Sequence, residues 1–397
     1  MKAPSLRRLE GTLLTAVLLL VTTGVVMVQS ALQVRAVAAG EFPLSGALRQ
    51  LPHVIIGLIA MLVVMRLPIA TFKRFAWAGM LIGLALQALV YTPLGYEFQG
   101  NRNWLRIGPV SLQPSELMKL ALLVWIATVI DAKSRLLNRW VHVVIPVVPV
   151  VALSMIVGIL GGDLGSLMVI AGLVLGCLFF AQIRMRVLLA IVALAALGIA
   201  VMTAIKPNRV MRVAHFMEVD CLSDPDEKYG LCWQTLHGFG ALARGGWSGV
   251  GFGSSRSKWH WLPEAENDFI FAIIGEEAGL IGACAALAVF LVIAVTMLIA
   301  LTRCHQKFTT ALIGGALVWI IGQMVVNVAV VLGFVPVLGV PLPFVSAGGS
   351  SLISLLTAVG VVVACLRDES RRESASERES AASQTERARV ELGLRSA

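Results

Sequence analysis

Five carboxylates fall within the 17 residues WLPEAENDFIFAIIGEE (261–277), in a chain that is 58% hydrophobic and only 14% charged. Asp268 stands directly before the apolar run FIFAII. An apolar wall beside a carboxylate raises its pKa and makes it a better general base, so we predict that Asp268 is catalytic. The other four acids are interpreted as solvated loop residues (Glu264, Glu266) or as structural partners of nearby cations (Glu276, Glu277).

Basic side chains that could hold an anionic ligand such as a diphosphate accompany these acids. One of them, Lys119, follows Glu116 by three residues in a predicted helix that begins at Pro114, so the two side chains share a face. A charged pair in an apolar span usually faces a polar cavity, whereas a purely structural ion pair is the alternative. The candidate cations are Arg102, Arg106, Lys119, Arg209, Arg212 and Lys258.

Two further segments are rich in residues that favour irregular backbone. GGWSGVGFGSS (245–255) is superficially similar to a phosphate-binding loop, but no strand precedes it and the GK[ST] signature is missing. GFVPVLGVPLPFVSAGGSSL (333–352) separates two apolar runs, and non-helical backbone at membrane depth is tolerated where it lines a cavity. The second segment either offers the hydroxyls of Ser346 and Ser350 to a ligand or forms a rigid hairpin.

The remaining sequence must supply the elements that position these residues. A mean hydropathy of +0.85 and long apolar runs predict an all-α polytopic membrane protein. The first apolar stretch is too long for the h-region of a secretory signal, so it is interpreted as a membrane helix. Windows of about 20 apolar residues predict ten transmembrane helices. They are 11–30, 47–65, 75–92, 112–130, 140–160, 164–182, 187–205, 278–302, 309–332 and 348–366.

Cation-rich connections alternate with cation-poor ones along the chain. The positive-inside rule therefore predicts cytoplasmic termini, with a short segment 1–10 before the membrane domain 11–366. A large outward loop, 206–277, lies between helices 7 and 8, and the Ser-, Arg- and Glu-rich tail 367–397 is predicted to be disordered. Topology and anionic lipid account for the net charge of +9, so no nucleic acid partner is predicted.

Cys221 and Cys232 both lie in the outward loop, which faces an oxidising compartment. A disulfide between them and two free thiols are the alternatives that the sequence leaves open. The other four cysteines lie in or next to spans, where they are interpreted as small buried hydrophobic residues.

Four ordered motifs resemble the SEDS family (shape, elongation, division and sporulation), which includes FtsW and RodA. They are GNRNWLRIG with SLQPSELMKLAL, GDLGS, the stretch QTLHGFGALARGGWSGVGFGSSRSKWHWLPEAENDFIFAIIGEEAGLIG, and GFVPVLGVPLPFVSAGGSSL. The resemblance covers nearly the whole predicted membrane domain. Two positions depart from the family pattern: Gly162 replaces the usual proline before Asp163, and Ala347 replaces a common tyrosine.

The resemblance implies a peptidoglycan glycosyltransferase that polymerises lipid II, an undecaprenyl-diphosphate-linked disaccharide-pentapeptide. It implies a class B penicillin-binding protein transpeptidase and other divisome proteins as partners, at the bacterial cytoplasmic membrane. The family's essential carboxylate falls on Asp268. Its other motif positions fall on Arg102, Trp104, Gln113, Ser115, Glu116, Lys119, Arg209, Arg212 and Lys258.

The residues and the resemblance together suggest one mechanism. Asp268 would take a proton from an acceptor hydroxyl while cations stabilise the departing lipid diphosphate, with inversion at the anomeric carbon. No cofactor is predicted, and a divalent cation on the diphosphate stays open. The alternatives are a lipid II flippase and a scaffold that recruits the transpeptidase. Within the family, CLSDPDEKYGLCWQ (221–234) and the acidic segment favour a division-type FtsW at the septum over an elongation-type RodA.

Overall fold

The computed structural model describes residues 5–391, except 43, 99, 100, 109, 137–140, 206–231 and 260. Most of the described residues are helical. The helices are α1 Leu6–Ala38, α2 Ser45–Val64, α3 Ile69–Leu89, α4 Pro114–Ala132, α5 Val141–Gly161, α6 Leu164–Phe180, α7 Met185–Ile205, α8 Trp233–Gly245, α9 Ile270–Arg303, α10 Lys307–Val331 and α11 Gly349–Glu391. A single 3-10 turn, Ser134–Leu136, follows α4.

Each predicted span overlaps one of these helices, and α8 is an additional helix within the predicted outward loop. Among the described residues, six helices are long and apolar enough to cross a membrane: α1, α2, α3, α9, α10 and the first part of α11. Two shorter apolar stretches, Ile145–Gly161 and Leu164–Phe180, lie in α5 and α6. The chain is therefore an integral membrane protein, and ten spans remain a prediction.

A small antiparallel sheet between α3 and α4 corrects the all-α prediction. Its strands are β1 Gly95–Phe98, β2 Asn101–Ile107 and β3 Val110–Leu112, in the order β1-β2-β3. Trp104 pairs with Tyr96, and Arg106 pairs with Ser111. Strands this short, placed between strongly apolar segments, leave too little two-residue alternation to be separated from a loop.

The segment after Arg367 also differs from the prediction, because α11 continues as a helix to Glu391. Its first turns beyond the apolar part are held by polar contacts. Glu369 accepts hydrogen bonds from the backbone N–H groups of His305 and Gln306, and Arg372 pairs with Asp368 one turn earlier. Composition predicted disorder because the segment has few large apolar residues. The structure shows that contacts within α11 and with the segment before α10 stabilise the helix instead.

The helix bundle has two polar ends separated by an apolar layer. In α1, Glu10 pairs with Arg367, whereas Ser30 donates to Glu277. About 20 residues, or roughly 30 Å of helix, lie between Glu10 and Ser30, which matches the hydrocarbon thickness of a bilayer. The contacts of Glu10 and Ser30 therefore lie near opposite membrane surfaces.

Helix α9 is interrupted at Gly279, whose φ of 68° and ψ of −170° are not helical. The break divides α9 into a short buried helix, 270–278, and a membrane helix that begins at Leu280. Leu280 N–H and Ile281 N–H donate to the carbonyls of Gly246 and Trp247, which compensates for the lost helical hydrogen bonds. The sequence predicted that an uninterrupted span begins near residue 278, and the break is consistent with this prediction.

We predict that Gly279→Ala destabilises the protein. A Cβ at this position would lie 2.3 Å from Gly249 N and 2.5 Å from Trp247 O, and this backbone conformation is essentially restricted to glycine at a cost of about 1–3 kcal/mol. The control is Gly79→Ala in α3, where a Cβ meets no atom within 4 Å. Thermal unfolding in detergent should show a lower midpoint for Gly279→Ala only, and equal midpoints would contradict the prediction.

Candidate functional site

Asp268 is held by its own backbone at the entrance of α9. The N–H groups of Asn267 and Phe269 both donate to Glu264 O, which closes a tight turn over residues 264–269. Asn327 of α10 donates from Nδ2 to Asp268 O at 2.8 Å, and the ring of Phe269 is fully buried. The main chain on both sides of the carboxylate is therefore fixed.

The Asp268 carboxylate itself forms no hydrogen bond or ion pair with any described residue. Burial, together with the negative charges of Glu264, Asp163 and Glu266, raises its pKa to about 7. A carboxylate with a pKa near neutrality and unoccupied oxygens fits the requirements of a general base.

The segment 333–347 forms the wall opposite Asp268. Ser346 Oγ donates to Asn267 O at 2.7 Å and accepts from Leu342 N–H at 2.8 Å, while Ala347 N–H donates to Glu266 O at 3.0 Å. A Cβ placed on Gly339 would lie 3.7 Å from Asp268 Oδ2. The Ser346 hydroxyl is thus engaged in holding the wall against the acidic segment.

Asn327 was not singled out in the sequence, although it lies at the centre of this arrangement. Its Nδ2 donates to Val340 O at 2.7 Å as well as to Asp268 O, so one amide joins α10, the wall and the acidic segment. A lone asparagine inside an apolar helix was the available signal, because a polar residue within a span is expected to have a specific partner.

Asp163, at the start of α6, is the centre of a second group of hydrogen-bonded polar residues. Its Oδ2 accepts from Gln113 Nε2 at 3.1 Å and from Ser115 Oγ at 3.2 Å, and its Oδ1 accepts from Ser166 N–H at 3.0 Å. Ser350 Oγ accepts from Gln113 N–H at 3.1 Å. The structure therefore brings the predicted Gln113, Ser115 and Ser350 together. Because Asp163 also contributes to the raised pKa of Asp268, this polar group lies near the carboxylate.

Glu116 and Lys119 form a buried ion pair in the first turns of α4. The Lys119 Nζ to Glu116 Oε1 distance is 2.7 Å, and each side chain is 2% exposed. Lys119 Nζ also lies 5.5 Å from the ring centroid of Trp319. Glu116 Oε2 is buried with no hydrogen-bond partner among the described residues, so the pair retains one free acceptor.

The predicted β2 residues lie at an exposed edge. Arg102 donates from Nε to Val90 O and from Nη2 to Thr92 O, both at 3.0 Å. The guanidinium of Arg106 lies 4.7 Å from the ring centroid of Tyr96, and Trp104 lies 6.4 Å from the same ring. Arg106 is exposed and forms no hydrogen bond or ion pair with an acidic side chain in the described part of the chain, so its charge faces solvent.

Lys258 lies in a separate, closed network. Its Nζ donates to Glu277 Oε1 at 2.9 Å, to Ser30 Oγ at 2.9 Å and to Gly253 O at 2.7 Å, and its side chain is 2% exposed. All three donors of the ammonium group are thus used by the protein. The structure does not bring Lys258 together with the Gln113 group.

The glycine-rich loop wraps around the carboxylates of Glu276 and Glu277. Glu277 accepts from the N–H groups of Gly253 and Ser255, and Glu276 accepts from Arg256 N–H, Ser257 N–H and the Arg244 guanidinium at 2.7 Å. The predicted structural role of these two acids is observed. The interpretation of Glu266 as solvated is wrong, because Glu266 is 6% exposed beneath the wall formed by segment 333–347.

Three predicted residues, Arg209, Arg212 and Cys221, lie outside the described residues. Cys232 is fully buried and disulfide-bonded, and its pairing with Cys221 stays a prediction. Within the described part of the chain there is no group of three or more His, Cys, Asp or Glu side chains that could hold a metal ion.

Comparison with known families and proteins gives consistent results. The FtsW/RodA/SpoVE family, described as "Cell cycle protein", matches residues 11–371. A protein of Mycobacterium tuberculosis described as probable peptidoglycan glycosyltransferase FtsW is 34% identical over 356 residues, which are 88% of this chain and 66% of that protein. This chain therefore spans just under two thirds of the mycobacterial relative. Stage V sporulation protein E of Bacillus subtilis is 33% identical over 352 residues, which are 87% of this chain and 93% of that protein.

Two solved structures share the architecture. A chain from a structure described as "Structural coordination of polymerization and crosslinking by a peptidoglycan synthase complex" superimposes with a TM-score of 0.71 and 27% identity, covering 90% of this chain and 97% of that chain. The rod shape determining protein RodA of Thermus thermophilus has the same fold, with a TM-score of 0.64, 24% identity and coverage of 90% and 96%.

We predict that Asp268→Asn increases thermal stability at pH 8 but not at pH 4. The folded-state pKa of about 7 exceeds the ordinary value of 3.8, so ionisation of Asp268 increasingly opposes folding as the pH rises from about 4 through 7. Asparagine removes this cost. The measurement is the unfolding midpoint against pH, with the exposed Glu97→Gln in β1 as control. A difference between Asp268→Asn and wild type that is equal at both pH values would contradict the prediction.

We also predict that Lys258→Met destabilises the fold by about 3–5 kcal/mol, because it leaves Glu277 as a buried carboxylate without its cation. The control is Arg49→Gln, which breaks an ion pair with Glu41 whose side chains are 71% and 41% exposed and should cost less than about 1 kcal/mol. Denaturation in detergent measures both. An unchanged Lys258→Met protein would show that the lysine is not structural.

Proposed function

Because the chain belongs to the FtsW/RodA/SpoVE family of cell cycle proteins, we propose that it is a peptidoglycan glycosyltransferase that polymerises lipid II. The reaction takes place at the outer face of the bacterial cytoplasmic membrane, and both termini are cytoplasmic. The observation that carries the proposal is the Asp268 carboxylate, whose backbone is fixed on both sides while its oxygens stay free and its pKa is raised to about 7.

Asp268 accepts the proton of the acceptor hydroxyl as that oxygen attacks the anomeric carbon of the donor sugar. The bond from the anomeric carbon to the diphosphate oxygen breaks, and the lipid diphosphate leaves with its electron pair. Attack opposite the leaving group inverts the anomeric centre, and no covalent intermediate with the protein is required. A positioned base of this kind contributes about 10²–10⁴-fold to the rate.

The departing diphosphate requires positive charge and hydrogen-bond donors. The solvent-facing Arg106 and Arg102 provide guanidinium groups at the β2 edge, and Arg209 and Arg212 are further candidates. The free Glu116 Oε2, beside Lys119, is a buried acceptor suited to a substrate hydroxyl or amide. Lys119 and Lys258 act on the substrate only if their ion pairs open. Trp104 contributes an apolar surface, whereas Gln113, Ser115, Ser346 and Ser350 position the walls.

A lipid II flippase is the alternative from a different class. Translocation of a diphosphate requires polar groups along a path through the bilayer. Among the described residues, the polar groups around Asp268, Asp163 and Glu116 lie at the ends of the membrane helices. This arrangement favours chemistry at one membrane surface.

The proposed partner is a class B penicillin-binding protein transpeptidase, with other divisome proteins at the division septum. Support comes from the resemblance to a chain of a peptidoglycan synthase complex and from relatives that carry the name FtsW. The division role is proposed over the elongation role because the FtsW-named relatives are more similar in sequence than RodA of Thermus thermophilus.

We predict that Asp268→Asn lowers glycan-strand synthesis by at least about 10²-fold, because the amide cannot accept the hydroxyl proton. The assay uses purified lipid II and the detergent-solubilised chain with its transpeptidase partner, and unfolding midpoints verify that the variant is folded. Normal polymerisation by Asp268→Asn would refute the proposed role of Asp268, and the flippase would become the preferred function.

Glu264→Gln is the matched variant, since it preserves the shape of the turn but removes a negative charge that raises the pKa of Asp268. We predict that wild-type activity rises with pH through about 7 and then levels off, because the base must be ionised. Glu264→Gln should stay active with this rise displaced to lower pH. A pH–rate profile that is identical for the two proteins would contradict the electrostatic coupling.

A further inference from the structure

A basic cleft lies between the first turn of α1 and the polar part of α11. Four arginines line it, together with Glu10 as the one acid among the lining residues. The arginines are Arg7, Arg367, Arg371 and Arg378. The cleft has a volume of about 660 Å³, and a Cβ placed on the lining residue Gly11 would meet no atom within 4 Å, so its floor is open.

The cleft lies at the membrane surface opposite the candidate site. Along α11, Ser350 contacts Gln113 near Asp163, whereas Ser370 lines the cleft. These two serines are about 20 residues apart, or roughly 30 Å along the helix, which is the thickness of the hydrocarbon core. The cleft therefore lies at headgroup depth, in the leaflet away from Asp268.

The charges in the cleft are mostly uncompensated. Glu10 accepts from Nε of Arg367 at 2.9 Å and from its Nη2, and Arg367 Nη1 donates to Met65 O at 3.2 Å. Arg367 and Glu10 thus neutralise each other. Arg7, Arg371 and Arg378 are exposed and form no hydrogen bond or ion pair in the part of the chain that the structure describes. Three guanidinium groups therefore line one cavity without a direct ion pair among the described residues, and an acid outside the lining, Asp368, acts on them through Arg371.

We propose that this cleft binds the phosphate headgroup of an anionic phospholipid. Guanidinium groups bind phosphate oxygens in pairs, and basic pockets between membrane helices on the cytoplasmic side are suited to such headgroups. Leu366, also among the lining residues, is buried and belongs to the protein core, so the polar and charged side chains provide the binding surface. A lipid reaches this depth by lateral diffusion, which favours it over a soluble phosphate or an acidic protein segment.

The test is native mass spectrometry of the full chain released from mixed micelles that contain equal amounts of phosphatidylglycerol and phosphatidylcholine. The cleft variant is Arg7→Gln/Arg371→Gln/Arg378→Gln. The control is Arg74→Gln/Arg135→Gln/Arg186→Gln, which removes the same charge from three exposed arginines outside the cleft. We expect wild type and control to retain phosphatidylglycerol preferentially. In the cleft variant, the ratio of bound phosphatidylglycerol to bound phosphatidylcholine should fall by about five-fold or more.

A second variant keeps the proposal testable if the triple variant does not fold. Gly11→Leu fills the cleft without removing charge, and we expect it to lower phosphatidylglycerol retention as well. Equal retention of the two lipids by wild type, or equal losses in the cleft variant and the control, would overturn the proposal. Displacement of the lipid by millimolar inorganic phosphate alone would identify a free phosphate site and would also overturn it. An acidic protein segment becomes the better occupant if wild type shows no lipid preference.

Discussion

The burial of two adjacent carboxylates, Glu276 and Glu277, is the constraint on which the described architecture depends. Two charges without water require full compensation, because an unpaired buried charge costs several kcal/mol. The compensation comes from Lys258 and Arg244, from serine hydroxyls and from four backbone N–H groups of one loop. Since Ser30 of α1 joins the same network, these contacts fix α1, α8 and the loop against the short helix that follows Asp268.

The glycine-rich loop illustrates why a sequence motif does not identify the bound anion. Its glycines and successive N–H groups are suited to cradle negative charge, as in phosphate-binding loops. In this protein, the anion is supplied by the chain itself, by Glu276 and Glu277, about two helical turns beyond the candidate base. Gly249 is essential to this contact, because a Cβ there would lie 2.1 Å from Glu277 O. In this protein the same local chemistry therefore stabilises the fold.

Periodicity and charge were enough to predict the apolar helices, the start of a membrane span near residue 278 and the structural role of Glu276 and Glu277. They were also enough to place Asp268 beside an apolar wall. They were not enough for Asp163 and Asn327, because the importance of these residues comes from contacts with segments that are 48 to 59 residues away along the chain. The sheet was missed because its strands are short. The helical continuation of α11 was missed because composition does not report contacts such as those of Glu369 with His305 and Gln306, just before α10.

The length of α11 sets the geometry of the C-terminal end. A helix from Gly349 to Glu391 is about 65 Å long, roughly twice the hydrocarbon thickness. About half of it therefore projects past the membrane surface as a stiff rod. A flexible tail of the same composition would let its end sample a broad volume and return often to the lipid surface. A rod instead presents the residues near Glu391 at a nearly constant height above the membrane, which restricts which surfaces of an assembly on that side can reach them at high effective concentration.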